Sequence, residues 1–172
     1  MENYYIENKQ YFEKIEFLKW VLERNINFIS TADSKTGYLI PINMAMLAGL
    51  AAAYTLSDKT QYTIVFLIFS IPTLILSTLS IYCAAISVWP RTSGPNDSLI
   101  FFASISNLKP IEYLQKINDA RLDDLINDLS RQIHRNAEIA KEKYKWVRKS
   151  VIYCFTSSIP WFATIFTLIE IR

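Results

Sequence analysis

The sequence predicts an all-α membrane protein, with three transmembrane helices and long helices that extend from them into a cytosolic helical stalk. Three observations carry that fold class. The 172 residues are 51% apolar, yet charges are absent from three windows: 22 residues between Lys35 and Asp58, 31 between Lys59 and Arg91, and 20 between Lys149 and Glu170. A helix needs roughly 20 mostly apolar residues to cross a hydrocarbon core of about 30 Å, and each window reaches that length. Outside the windows, apolar residues recur every three or four positions among charged ones, the pattern of amphipathic helices. Finally, only 3 glycines interrupt the chain.

Taken in order, residues 1–36 are predicted to form a cytosolic amphipathic helix. Phe12, Ile15, Leu18, Leu22, Ile26 and Ile29 make its apolar face, and Glu13, Lys14, Glu16, Glu23 and Arg24 cover the rest. The first 36 residues hold six acidic side chains and no short apolar core followed by small residues, so no cleavable signal is expected there. Gly37 and Pro41 are expected to loosen the helix where it enters the membrane. Residues 37–57 are the first span, with Ala45, Gly49 and Ala53 at steps of four and Asn43 as its one amide.

A short external loop, residues 58–61, leads to the second span at residues 62–88. A fully helical 31-residue window would be about 46 Å long, so this span ends before Trp89. Residues 89–150 form a cytosolic helical segment. Trp89 and Pro90 end the span, and Thr92, Ser93, Gly94, Pro95 and Asn96 are a turn cluster. Asp97 or Ser98 is positioned to cap a short helix through LIFFASIS, and Pro110 starts another. From Asp119 to Ile169 no glycine intervenes and the sole proline is Pro160, which predicts one helix of roughly 75 Å, with Leu122, Leu125, Leu129, Ile133, Ala137, Ala140, Tyr144 and Val147 in period. Its end, residues 151–169, is the third span.

Lys and Arg number 5 before the first span, 1 in the loop, 11 in residues 91–150 and 1 at Arg172. The positive-inside rule therefore places the N-terminus and residues 91–150 in the cytoplasm and the C-terminus on the external side. The two long helices enter the membrane from the same side and should run together as a stalk. Covering both apolar stripes calls for each other or a neighbouring copy, which points to a homo-oligomer.

The same composition excludes several chemistries. Three separated glycines build no phosphate-cradling loop. A single histidine, His134, and two scattered cysteines supply no closed zinc site, so no metal and no cofactor is expected. Cys83 and Cys154 fall inside spans and read as small apolar residues. A net charge of +2 from 18 basic and 16 acidic residues gives no basic stripe for nucleic acid. No catalytic constellation is visible, Asp123, Asp124 and Asp128 read as a solvated helix face, and the chain is not expected to be an enzyme.

Function then rests on binding. Ser70, Thr73, Ser77 and Ser80 follow one face of the second span, and Thr164 belongs to a similar row in the third. Such rows serve intramembrane packing or line a lumen. Asp33 and Lys35 stand at the membrane entrance, about 200° apart on a helix, which suits a salt bridge to another element. Lys141, Lys143, Lys145, Arg148 and Lys149 read as topology signals and anionic-lipid contacts. Arg91 beside Trp89 is either an interfacial anchor or an anion site, and Arg131 with Arg135 can hold one phosphate between them.

Several of these residues occur in a recognisable order: Ala32, Asp33, Ser34 and Lys35 before a span containing Asn43; Trp89, Pro90 and Arg91 after the second span; then Leu99 to Phe102, Glu112 to Leu114, Gln132 with Ile133, and Lys143 with Tyr144. In that order and spacing the chain resembles the transmembrane effector family of Pycsar antiphage defence systems, from about Asn27 onward. The family's first element continues with alanine, where this chain has Thr36 and Gly37. The resemblance implies an inner-membrane effector paired with a pyrimidine cyclase. The cyclase makes cyclic UMP or cyclic CMP on infection, and the effector compromises the membrane so that the cell stops growing or dies. It makes the motif positions Asp33, Lys35, Asn43 and Arg91 candidates for the ligand, beside Arg131 and Arg135. A ligand site is expected between residues 91–118 and the long helix. The alternative is a non-enzymatic membrane scaffold or oligomeric channel whose cytosolic helices dock a protein partner and bind no nucleotide.

Overall fold

Because so few glycines and turn residues break the helical pattern, two helices carry most of the chain. The computed structural model describes residues 2–56 and 64–170, and all statements below concern those residues. The expected loop at 58–61, the adjoining residues 57, 62 and 63, and Arg172 lie outside them. The elements are α1 (Glu2–Leu56), α2 (Ile64–Val88), α3 (Phe102–Ser106), α4 (Pro110–Asp119) and α5 (Leu122–Glu170). Three of these helices are long and apolar enough to cross a membrane, within Lys9–Leu56, Ile64–Val88 and Leu122–Ile169.

Gly37 and Pro41 do not loosen α1, contrary to expectation, and Pro72 and Pro160 likewise sit inside α2 and α5. A proline forfeits one intrahelical hydrogen bond. Breaking the helix in hydrocarbon would strand several backbone groups with no water to satisfy them, so the continuous helix is the cheaper state.

Two further boundaries differ from the sequence reading. The long helix does not begin at Asp119. Ala120 is extended (φ −68°, ψ 130°), and α5 starts at Leu122, where Asp124 Oδ2 accepts from Arg121 N at 3.1 Å. Asp123 and Asp124 thus sit in a first helical turn, where negative charge complements the helix dipole. In LIFFASIS only Phe102–Ser106 is helical. Ser98 Oγ accepts from Ile100 N and Phe101 N, but Leu99 N is drawn to Asp128 Oδ2 at 2.8 Å and Phe101 remains extended.

The residues divide into two compact units, with α1 and α5 contributing to both. One unit comprises Thr31–Trp89 and Glu142–Arg172. Its three helices bury small and polar side chains and turn their large apolar ones outward. Thr36, Asn43, Thr73, Ser77, Ser80, Ser87, Ser150, Ser157 and Thr164 are each 0% exposed, whereas Ile64, Phe155 and Ile159 are more than 70% exposed. Small residues allow close helix approach, and large apolar ones are as well accommodated by lipid as by protein. Buried positions recur at steps of three and four, as in Thr36, Leu39 and Asn43 of α1 and Lys143, Val147, Ser150, Cys154 and Ser157 of α5. That mean period of 3.5 is the signature of left-handed supercoiled packing. Two apolar clusters join the polar seam, one built on Ala32, Leu39, Val147 and Cys154, the other on Leu50, Phe66 and Leu168. Cys83 and Cys154 are free thiols, both buried.

The other unit comprises Met1–Ser30 and Pro90–Lys141. Here the buried residues are Phe101, Ile126, Leu129, Ala140, Ser98 and Asp128. Asp128 is therefore no solvated face: it is 4% exposed and its carboxylate holds the backbone of Leu99. Tyr113 Oη donates to Leu99 O at 3.0 Å, so α4 and α5 grip the same residue. On α1 the inward positions are Tyr11, Ile15, Leu18, Leu22, Asn25 and Ile29, again at steps of four and three. Phe12 and Ile26 of the expected stripe point outward, at 67% and 50% exposed, and Asn25 takes an inward place, its Nδ2 donating to Ile133 O at 3.5 Å.

Candidate ligand cleft and transmembrane polar seam

In the unit containing α3 and α4, residues 93–95 face one side of α5 across an open cleft of about 690 Å³. Ser93, Gly94 and Pro95 form one wall, and Ser130, Arg131, His134, Arg135 and Glu138 the other. That volume lies within the roughly 300–1,000 Å³ of small-molecule sites. Gly94 is required by contact rather than backbone angle, because a Cβ there would meet the Phe101 ring at 2.6 Å.

The two arginines of the cleft are in different states. Arg135 is committed: Nε donates to Ser93 O at 3.0 Å, Nη2 to Ser93 Oγ at 2.6 Å, and Nη1 to Glu138 Oε2 at 3.1 Å. Arg131 is 56% exposed and forms an ion pair with Asp128, its Nη2 3.6 Å from Asp128 Oδ1, too long for a hydrogen bond. An anion entering the cleft therefore meets one exposed guanidinium, ion-paired to Asp128 on its own helix, and one already hydrogen-bonded to the loop. The aromatic rings of Tyr113, Tyr144 and Trp146 are engaged elsewhere, Tyr113 with Leu99, Tyr144 under Lys35 at 5.4 Å and Trp146 under Lys149 at 4.5 Å. The flat side chain on the cleft is the imidazole of His134.

The remaining candidates lie elsewhere. Arg91 is half-buried and does not line the cleft. Asp33, Lys35 and Asn43 belong to the three-helix unit. There Asn43 Nδ2 donates to Leu39 O at 2.8 Å and across to Ser80 Oγ at 3.0 Å. Ser80 Oγ donates to Ser150 O at 2.8 Å, and Ser150 Oγ returns a bond to Ser80 O at 2.9 Å, so α1, α2 and α5 meet in one network. Thr73 and Thr164 donate to the carbonyls of Phe69 and Pro160 in their own helices. Ser70 is 5% exposed, and Ser77, wholly buried, has no hydrogen-bond partner for its Oγ among the described residues.

The sequence reading did not find the partner of Asp33. It is Lys143, which pairs with Asp33 Oδ1 and also donates to Ser87 O at 2.9 Å in the last turn of α2. Lys143 is therefore not a lipid contact. A signal was present: it falls in the three-four row with Val147, Ser150 and Cys154, where a lysine at the surface would be out of phase. Ser93 and His134 carried no comparable pattern, because a cleft between a loop and a helix depends on how the loop is held.

A family model described as the Pycsar effector protein domain matches residues 17–170, which take in both units and all three helices able to span a membrane. The chain belongs to this family. Among the Pycsar effector proteins it resembles, that of Staphylococcus aureus is 26% identical over 160 residues, covering 91% of this chain and 98% of that protein. The Pycsar effector protein of Propioniciclava tarda is 24% identical over 143 residues, 77% of this chain and 70% of that one. That of Gulbenkiania mobilis is 32% identical over 63 residues, 37% and 32% of the two chains. No solved structure matches. As a Pycsar effector the chain is a membrane protein of an antiviral defence system that works with a cyclic nucleotide cyclase.

Proposed function

We propose that this Pycsar effector binds cyclic UMP or cyclic CMP in the cleft between residues 93–95 and α5, and that binding leads it to compromise the bacterial inner membrane and arrest or kill the infected cell. The observation that carries the ligand assignment is the meeting of Arg131 and Arg135 on one cleft wall, opposite Ser93. A cyclic nucleotide carries one negative charge and a flat base. The exposed Arg131 guanidinium suits the phosphate through a charge-assisted bond. The His134 imidazole offers the base a flat surface, and Ser130 and Glu138 offer a hydroxyl and a carboxylate to its edge.

The response follows from Arg135. A phosphate that competes with Ser93 for this guanidinium releases residues 93–95 from α5, or is itself bridged to them; either way the ligand favours one arrangement of the loop. The helix that carries the arginines, α5, continues as a spanning helix. In this reading the cleft is cytoplasmic, the C-terminus is periplasmic, and copies of the chain associate so that their spans act together on the bilayer.

The test is thermal unfolding of detergent-purified protein with cyclic UMP, CMP, AMP and GMP, since a ligand that binds only the folded state raises its apparent stability. A rise with a pyrimidine nucleotide alone, lost in Arg131→Ala, supports the reading. No rise with any nucleotide, in protein shown to be folded, overturns it in favour of a membrane scaffold that docks a protein.

A further inference from the structure

Of the basic residues that precede the third charge-free window, Lys143 turns inward, and Lys145, Arg148 and Lys149 turn outward. Continuing at steps of three and four, the same ridge of α5 runs on through Ile152, Phe155 and Ile159. These are not core residues: Phe155 and Ile159 are 72% and 73% exposed. The Lys149 ammonium lies 4.5 Å from the ring centroid of Trp146, an aromatic of the kind that settles at headgroup depth. One face of one helix thus presents three cations within two turns, then an apolar strip of the same width.

We infer that this face of α5 binds a diacyl anionic phospholipid, its phosphate held by Lys145, Arg148 and Lys149 and an acyl chain lying along Ile152, Phe155 and Ile159. Charge complementarity selects this occupant. A second copy packed by the same face in a two-fold contact would set these three cations against their own counterparts, which is repulsive. A soluble anion would satisfy the cations and leave the apolar strip uncovered. A zwitterionic lipid covers the strip and offers the cations no net charge. A lipid with a negative headgroup matches both parts at the spacing in which they occur.

The experiment is native mass spectrometry of the full-length protein released from mixed micelles holding equal phosphatidylglycerol and phosphatidylcholine, counting retained lipids of each kind. The protein is expected to retain phosphatidylglycerol over phosphatidylcholine. The Lys145→Gln/Arg148→Gln/Lys149→Gln variant is expected to lose that preference by about five-fold per charge removed, the factor equivalent to about 1 kcal/mol per basic residue at a membrane surface. Lys145→Arg/Lys149→Arg keeps it and guards against misfolding as the cause. An equal loss on neutralising Lys9, Lys14 and Lys19 would show general electrostatics and overturn the site. Unchanged preference in the triple variant would overturn it as well, and so would displacement of the lipid by millimolar glycerol phosphate.

Discussion

Lys143 reaches Asp33 from inside the three-helix unit: its side chain is 7% exposed against 42% for the aspartate, and the same ammonium donates to Ser87 O at the end of α2. One cation thereby ties α1, α2 and α5 together where they leave the apolar region. The asymmetry of burial sets the energetics. Removing the aspartate leaves a desolvated ammonium with one carbonyl, whereas removing the lysine leaves a carboxylate that water can reach.

Asp33→Asn is therefore expected to destabilise the protein by about 3 kcal/mol, the lower part of the range for breaking a buried pair. Lys143→Met should cost less, and the double variant should recover part of the Asp33→Asn loss. Unfolding in detergent of the four proteins measures the coupling. Additive losses would show that the two residues do not act as a pair.

The polar seam makes an opposite forecast for two serines one turn apart on α2. Ser80 takes part in bonds to both Asn43 and Ser150, so Ser80→Ala is expected to cost about 1–2 kcal/mol, two interhelical bonds of the strength found inside membranes. Ser77 Oγ is buried and has no partner among the described residues, so Ser77→Ala should be neutral within about 0.5 kcal/mol or stabilising. Equal losses at the two positions, in the same detergent, would remove the network from the account of stability.

The two cleft arginines should separate binding from structure. Arg131→Ala is expected to weaken the pyrimidine nucleotide by about 10- to 100-fold, the loss of one charge-assisted bond, and to lower thermal stability without ligand less than Arg135→Ala does, because it gives up an ion pair to Asp128 but no hydrogen bond. Arg135→Ala removes both bonds to Ser93 and should lower stability without ligand as well as affinity. Calorimetric titration beside unfolding of the free proteins distinguishes them. An Arg131→Ala protein that binds as the parent does would move the phosphate elsewhere.

Much of this architecture is visible in the residue order. The charge-free windows mark the spans because hydrocarbon excludes charge, and Pro110 marks α4 because its ring fits a first helical turn. The phase of α1 is less visible. Phe12 and Ile26 are apolar and Asn25 is polar, yet Asn25 faces inward, because side-chain polarity is a poor guide where a helix can bond a neighbouring carbonyl. Continuity across Pro41 was not visible either, since the proline penalty is familiar from water and the alternative in hydrocarbon is costlier.

The sequence by itself determined the number of apolar helices, the punctuation between them and the family pattern, because these depend on local composition and spacing. Only the tertiary structure decided that Lys143 is the partner of Asp33, that Asp128 is buried against Leu99, and that Arg135 is occupied by Ser93. Each of those partners lies 29 to 110 residues away along the chain. Such pairings are fixed by which helix faces which, a property of packing that no local pattern encodes.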